Sequence, residues 1–67
     1  MYRLDATING FIVVKGKRFS SLKAAYRYIS SLLNTYSFQV QEEYDGINGH
    51  ELVCDDYTRF YLNRVYA

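Results

Sequence analysis

"TINGFIVVKGKRFSSLKAAYRYI", residues 7–29, decides the fold of this 67-residue chain, because it holds in succession a tight turn, an apolar strand, a basic knuckle and the start of a helix. Asn9-Gly10 accepts positive φ at both central positions of a type I′ turn, so the flanking runs Tyr2–Ile8 and Phe11–Lys15 are predicted to form a hairpin. A two-residue turn sets the register: Ile8 opposite Phe11, Ala6 opposite Val13 and Leu4 opposite Lys15. Leu4, Ala6, Ile8, Phe11 and Val13 then share the core side. The other side carries Arg3, Asp5, Thr7, Ile12 and Val14, with the two branched residues left for a partial cover or a partner.

After a bend at Lys15-Gly16-Lys17, Ser20 or Ser21 can cap a helix while Phe19 folds back over its first turn. Leu22, Ala25, Tyr26, Ile29, Leu32 and Leu33 recur at helical spacing, which extends the helix to about Asn34. Lys23, Arg27 and Asn34 lie on its outer side, and Tyr28 on the far flank near Ala24 and Ser31. From Tyr36 to Tyr44 the period changes to two, the mark of a strand; the segment Asp45–Gly49 holds two turn dipeptides, and His50–Cys54 reads as the returning strand. Asp55-Asp56 is a further turn. Residues 57–66 fit either a strand or a short helix, and their density of Tyr, Phe, Thr and Val favours the strand. The expected order is ββαβββ: a single small α+β domain over residues 1–67, a two-layer sandwich with one helix packed on an antiparallel sheet. One helix shields one face, so Ile12, Val14 and several tyrosines are expected on the open side, where a homodimer could cover them.

A chain this short buries only about 60% of the surface it exposes when unfolded, yet its 49% hydrophobic content suffices for a core. One cysteine forms no internal disulfide, and the longest apolar run, Phe11–Val14, is far below the roughly 20 residues of a membrane span. A soluble, cytoplasmic protein is the expectation. The net charge of +1 conceals two halves of opposite sign. Residues 1–34 carry Arg3, Lys15, Lys17, Arg18, Lys23 and Arg27 against Asp5 alone, a net of +5. Residues 35–67 set Arg59 and Arg64 against Glu42, Glu43, Asp45, Glu51, Asp55 and Asp56, a net of −4. Such polarity orients charged partners and also favours head-to-tail self-association.

Catalytic chemistry finds little footing. His50 and Cys54 share a strand face but stand about 13 Å apart along it, too far for one metal ion or a proton transfer. Glu42 and Glu43, as strand neighbours, point to opposite faces. No glycine opens a helix in a phosphate-cradling pattern, so no enzyme activity, no metal and no cofactor are expected.

Binding remains, and eight tyrosines point towards it, since tyrosine offers rigid contact area with a polar tip. Tyr28, Tyr57 and Tyr61 are the rings least needed by the core, and with Glu42, Glu43, Asp45, Asp55 and Asp56 they make the candidate protein-binding set. Small size, a tyrosine-rich exterior and both signs of charge suit an inhibitor or adaptor of host machinery of the kind phages and mobile elements encode, anti-CRISPR proteins among them. The alternative partner is nucleic acid, through Lys15, Lys17, Arg18, Lys23 and Arg27. In arrangement, "VVKGKRFSSLKAAYRYI" resembles the strand-then-helix portion of phage integrase arm-binding and AP2-type DNA domains, where a Gly-Lys turn and an aromatic lead into an alanine-rich helix. That resemblance implies nucleic-acid binding. It covers about a quarter of the chain, and the pattern departs from it in having two strands before the helix rather than three and an acidic second half.

Overall fold

The computed structural model describes residues 1–66. β1 (Tyr2–Ile8) and β2 (Phe11–Phe19) form the expected hairpin, followed by α1 (Leu22–Tyr36) and the strands β3 (Glu42–Asp45), β4 (Gly49–Asp55) and β5 (Thr58–Arg64). All neighbouring strands are antiparallel in one sheet of order β2-β1-β5-β4-β3. The α+β class, the element order and the helix packed on the sheet are as the sequence predicts, and residues 58–64 are strand.

The turn behaves as its residues demand: Asn9 and Gly10 have φ of 53° and 82°, which an Asn-Gly pair adopts at low steric cost. Beyond it the register departs from the simple hairpin. Ile8 pairs with Phe11 and Thr7 with Ile12, but Ala6 pairs with Val14 and Leu4 with Lys17, so β2 holds two bulges. The first lets Val13 slip out of register. Val14 therefore points into the core at 6% exposure while Val13 is 40% exposed, correcting the expected core position of Val13 and the expected open position of Val14. The second bulge absorbs Lys15-Gly16, and the strand runs on to Phe19 instead of bending away at Lys15. Gly16 sits at φ +65°, a conformation that favours glycine, and its N–H donates to Asp5 Oδ1 at 2.8 Å. Asp5 also accepts from Arg3 Nε at 3.1 Å through its other oxygen.

Ser21 caps the helix, its Oγ accepting from the Ala24 N–H at 3.1 Å. Ala25 and Ile29 are fully buried beneath it, flanked by half-buried Leu22, Tyr26, Tyr28, Leu32 and Leu33. The helix ends two residues later than its stripe suggests, at Ser37 in the left-handed region (φ 59°, ψ 41°), where the Phe38 N–H donates to Leu33 O at 2.9 Å. The chain over 37–41 is irregular, so the strand expected from Tyr36 shrinks to Glu42–Asp45. Its apolar pair still works as expected: Phe38 and Val40 pack half-buried against the core.

The helix packs on one face of the sheet and carries the chain from its Tyr2–Phe19 end towards its Thr7 end. It leaves β2 beside the Tyr2–Phe19 pair on one edge. It delivers the chain to Glu42, whose row runs Glu42–Val53–Arg59–Thr7, at the other end of the opposite edge. Tyr26 reaches Glu43 of β3 and His50 of β4 while Tyr28, two residues on, meets Lys17 and Phe19 of β2, so the helix lies over the middle strands with one flank towards each edge. It leaves part of the turn end uncovered: Phe11, on the edge strand there, lies opposite buried Ile8 yet is 75% exposed, so Phe11 is not a core residue.

At that end the two tight turns are tied together. The Gly10 N–H donates to Tyr57 O at 2.9 Å, and the Asn9 N–H donates to Oγ1 of Thr58, the one fully buried polar side chain among the described residues. Thr58→Val, which keeps the shape and removes the acceptor, is expected to lower stability by about 1–2 kcal/mol in urea denaturation, with Thr58→Ser retaining most of it. Ser37→Gly is expected to act in the opposite sense, raising the thermal midpoint by relieving about 1 kcal/mol of left-handed strain.

Candidate interaction surfaces

The residues singled out by sequence fall on three separate surfaces. The first is the turn end. The β4–β5 turn is Asp56-Tyr57 rather than Asp55-Asp56, because Asp55 Oδ1 accepts the Tyr57 N–H at 2.8 Å and holds the turn one residue later. Tyr57, at 69% exposure, therefore stands beside Gly10, with Phe11 and the 68% exposed Ile12 adjacent and Asp55 and Asp56 exposed at the rim. Ile12 stands exposed on the open side, where alternation puts it, whereas Phe11 is exposed against the expectation of a core position, because alternation carries no knowledge of how far the helix reaches.

The second is the open face of the sheet. One row across it reads Asp5, Tyr61, Glu51, Tyr44, and the next reads Thr7, Arg59, Val53, Glu42. Tyr61 and Glu42 thus share this face, joined by Tyr44, which the sequence reading passed over. The Tyr44 hydroxyl donates to the Glu42 carboxylate, which raises the phenol's pKa. Arg59 Nη1 donates to Glu51 Oε2 at 3.3 Å. A shallow hollow of about 370 Å³ opens between Tyr44 and Tyr61, where Gly46 and Gly49 contribute no side chain.

Glu43 and Asp45 point the other way, towards the helix side, as alternation with Glu42 requires. Glu43 Oε1 accepts from the Tyr26 hydroxyl at 3.2 Å, and Asp45 Oδ1 lies 2.5 Å from His50 Nδ1. The His50 ring meets Tyr26 edge-on at 6.0 Å. Four residues further along β4, Cys54 is buried, and burial together with Asp55 pushes its thiol pKa up, away from a reactive thiolate. Among the described residues no three His, Cys, Asp or Glu side chains gather as a metal-binding group.

The third surface is basic and dispersed. Lys17 Nζ lies 5.2 Å from the Tyr28 ring centre and 5.7 Å from that of Phe19, two rings that contact each other at 5.4 Å. Tyr28 is consequently half-buried, clamped between the edge strand and the helix instead of standing on a free flank. Arg18 shares a row with Arg3 on the open side, its guanidinium 3.7 Å from Met1 Sδ. Lys15 is exposed at the bulge, and Lys23 and Arg27 are exposed on the outer helix side. The five cations are spread over both faces of the sheet and the back of the helix.

Among the described residues no helix is long and apolar enough to cross a membrane. No family model, no curated protein and no solved structure matches the chain.

Tyr26 offers a direct reading of the β3–helix contact. Burial, then the hydrogen bond and charge of Glu43, push its pKa up to about 12. The folded state holds this proton more tightly than the unfolded chain, whose phenol titrates near 10. Its stabilising contribution is complete below about pH 10 and lost as pH rises towards 12. In an alkaline absorbance titration one phenol is expected to ionise near pH 12, to disappear in Tyr26→Phe, and to move down in Glu43→Gln.

Proposed function

We propose that this protein is a small binding module that acts by docking on a protein partner rather than by converting a substrate, with the turn end as its principal contact. The observation that carries this reading is the exposure of Phe11, Ile12 and Tyr57, each at least two-thirds exposed, together at the turn end of the sheet, with Phe11 on the helix side of β2, Ile12 on its open side and Tyr57 on the neighbouring turn. Large apolar side chains grouped on a surface and rimmed by polar ones are the usual mark of a protein contact site. Two hydrogen-bonded turns hold them rigid, so little conformational entropy is lost on docking. Asp55 and Asp56 at the rim favour a partner surface that is cationic. Within this class, an inhibitor or adaptor of host machinery of the anti-CRISPR kind is the narrower reading. A compact chain that covers a basic nucleic-acid channel with its acidic rim suits that task.

Nucleic acid as the direct partner draws less support, because the five candidate cations do not line one strip and Lys17 is engaged with two aromatic rings. The test sets the two against each other. A tagged chain is incubated with lysate of its source cell under nuclease treatment, and the captured protein is identified and cross-linked. Cross-links are expected at the turn end, with capture lost in Tyr57→Ala and in Phe11→Ser and kept in Lys17→Glu with Arg18→Glu. Affinity for a mixed DNA and RNA pool that falls steeply with salt and vanishes in the Lys17 and Arg18 variant would overturn the protein-docking reading.

A further inference from the structure

The hollow on the open face, away from the turn end, has a composition that the docking reading does not use. Tyr44, Glu51 and Tyr61 occupy one row on three adjacent strands, so the two phenols stand about 10 Å apart with a carboxylate between them. Gly46 and Gly49 leave the adjoining ground empty. At Gly49 the emptiness is enforced, since a Cβ there would come within 2.7 Å of Asn63 Oδ1 and 3.2 Å of Leu62 O. Two phenols, the Glu51 carboxylate and the Asn63 side-chain amide line it, with Asp45 and His50 at its margin. Arg59, from the neighbouring row, lies beside Tyr61 and engages one Glu51 oxygen at 3.3 Å, while the other Glu51 oxygen has no side-chain partner among the described residues.

We propose that this hollow receives a guanidinium, the side chain of an arginine on the protein partner. A guanidinium is planar and weakly hydrated, stacks on phenol rings and forks onto a carboxylate, so it uses both kinds of wall at once. A volume of about 370 Å³ suits one extended side chain and an open mouth suits one that arrives on a protein surface. The acidic second half of the chain, with Glu42 and Asp45 close by, adds a field of the right sign. The identity of the bearer as a partner protein rests on the docking reading; the chemistry of the hollow does not.

The experiment uses small probes in place of the partner. Acetyl-arginine amide is titrated into the labelled protein and followed by the ring resonances of Tyr44 and Tyr61 and the side-chain amide of Asn63, beside acetyl-citrulline amide, its neutral isostere, and acetyl-lysine amide. A saturating shift at these three residues with arginine, absent with citrulline and weaker with lysine, is the expected result. Glu51→Gln and Tyr61→Leu are each expected to weaken it about five- to tenfold. Equal response to citrulline, equal response to lysine, or arginine shifts confined to other surfaces would each overturn the assignment. Tyr57→Ala, which tests the turn end, is expected to leave the arginine titration unchanged. A partner captured normally by Glu51→Gln and Tyr61→Leu would overturn the arginine contact while leaving the turn-end docking reading intact.

Discussion

A five-stranded sheet has two faces, and this chain supplies one helix to cover them. Everything else follows from how that helix is laid. Between them, the helix and the irregular residues 37–41 carry the chain from one edge strand to the other and from one end of the sheet to the opposite end, and the helix lies on a line over the middle strands, with Tyr26 turned towards β3 and β4 and Tyr28 towards β2. Leu4, Ala25, Ile29, Phe60 and Leu62 are buried along that line. Removal of such side chains from water is the main force holding so small a domain together, so whatever lies off the line is left to turns and hydrogen bonds. Thr58 does that work at the turn of the hairpin and Asp5 at the bulge in its middle, each accepting from a backbone N–H that strand pairing leaves free.

The two bare regions, the turn end and the open face, differ in kind. The turn end carries apolar side chains on a stiff frame, whereas the open face is a polar lattice in which charges of both signs alternate with phenols. Neither sheet edge invites a further strand. β2 is interrupted by two bulges and carries Lys15, Lys17 and Arg18; β3 is four residues long and holds Glu42, Glu43 and Asp45. Bulges, brevity and charge are the devices by which sheet proteins avoid edge pairing, which directs any partner to the faces and the turn end.

Where local chemistry determines geometry, the sequence was readable. Asn9-Gly10 specifies its turn, Ser21 its cap, and the Leu22–Leu33 stripe its helix, since each depends on residues within one or two turns of chain. The failures have a common cause. Val13 and Val14 are adjacent and nearly alike, so nothing local says which one faces inward; the bulge that decides it is fixed by Ala6 and Thr7 across the strand. Phe11 was misplaced for a similar reason, because alternation gives the side of the sheet but not the reach of the helix above it. Helical spacing puts Tyr28 on the far flank, and its partial burial there comes from Phe19 and Lys17 of β2, which spacing within the helix does not contain. Of the candidate site, Tyr57, Tyr61, Glu42 and the acidic turn were legible as exposed residues, while their division among separate surfaces required the register of four strand pairs.

β5 lies between β1 and β4, at the middle of the sheet, although it follows all four of its companion strands in the chain. A polypeptide emerging from the ribosome can close its first hairpin and wind its helix early, but the two halves share no backbone ladder until residues 58–64 arrive to join them. Completion of the core is therefore a late event in the life of each molecule. Until that strand docks, Leu4, Ala6 and Leu52 stay within reach of proteases and chaperones, and a chain cut short before it has no sheet to fall back on.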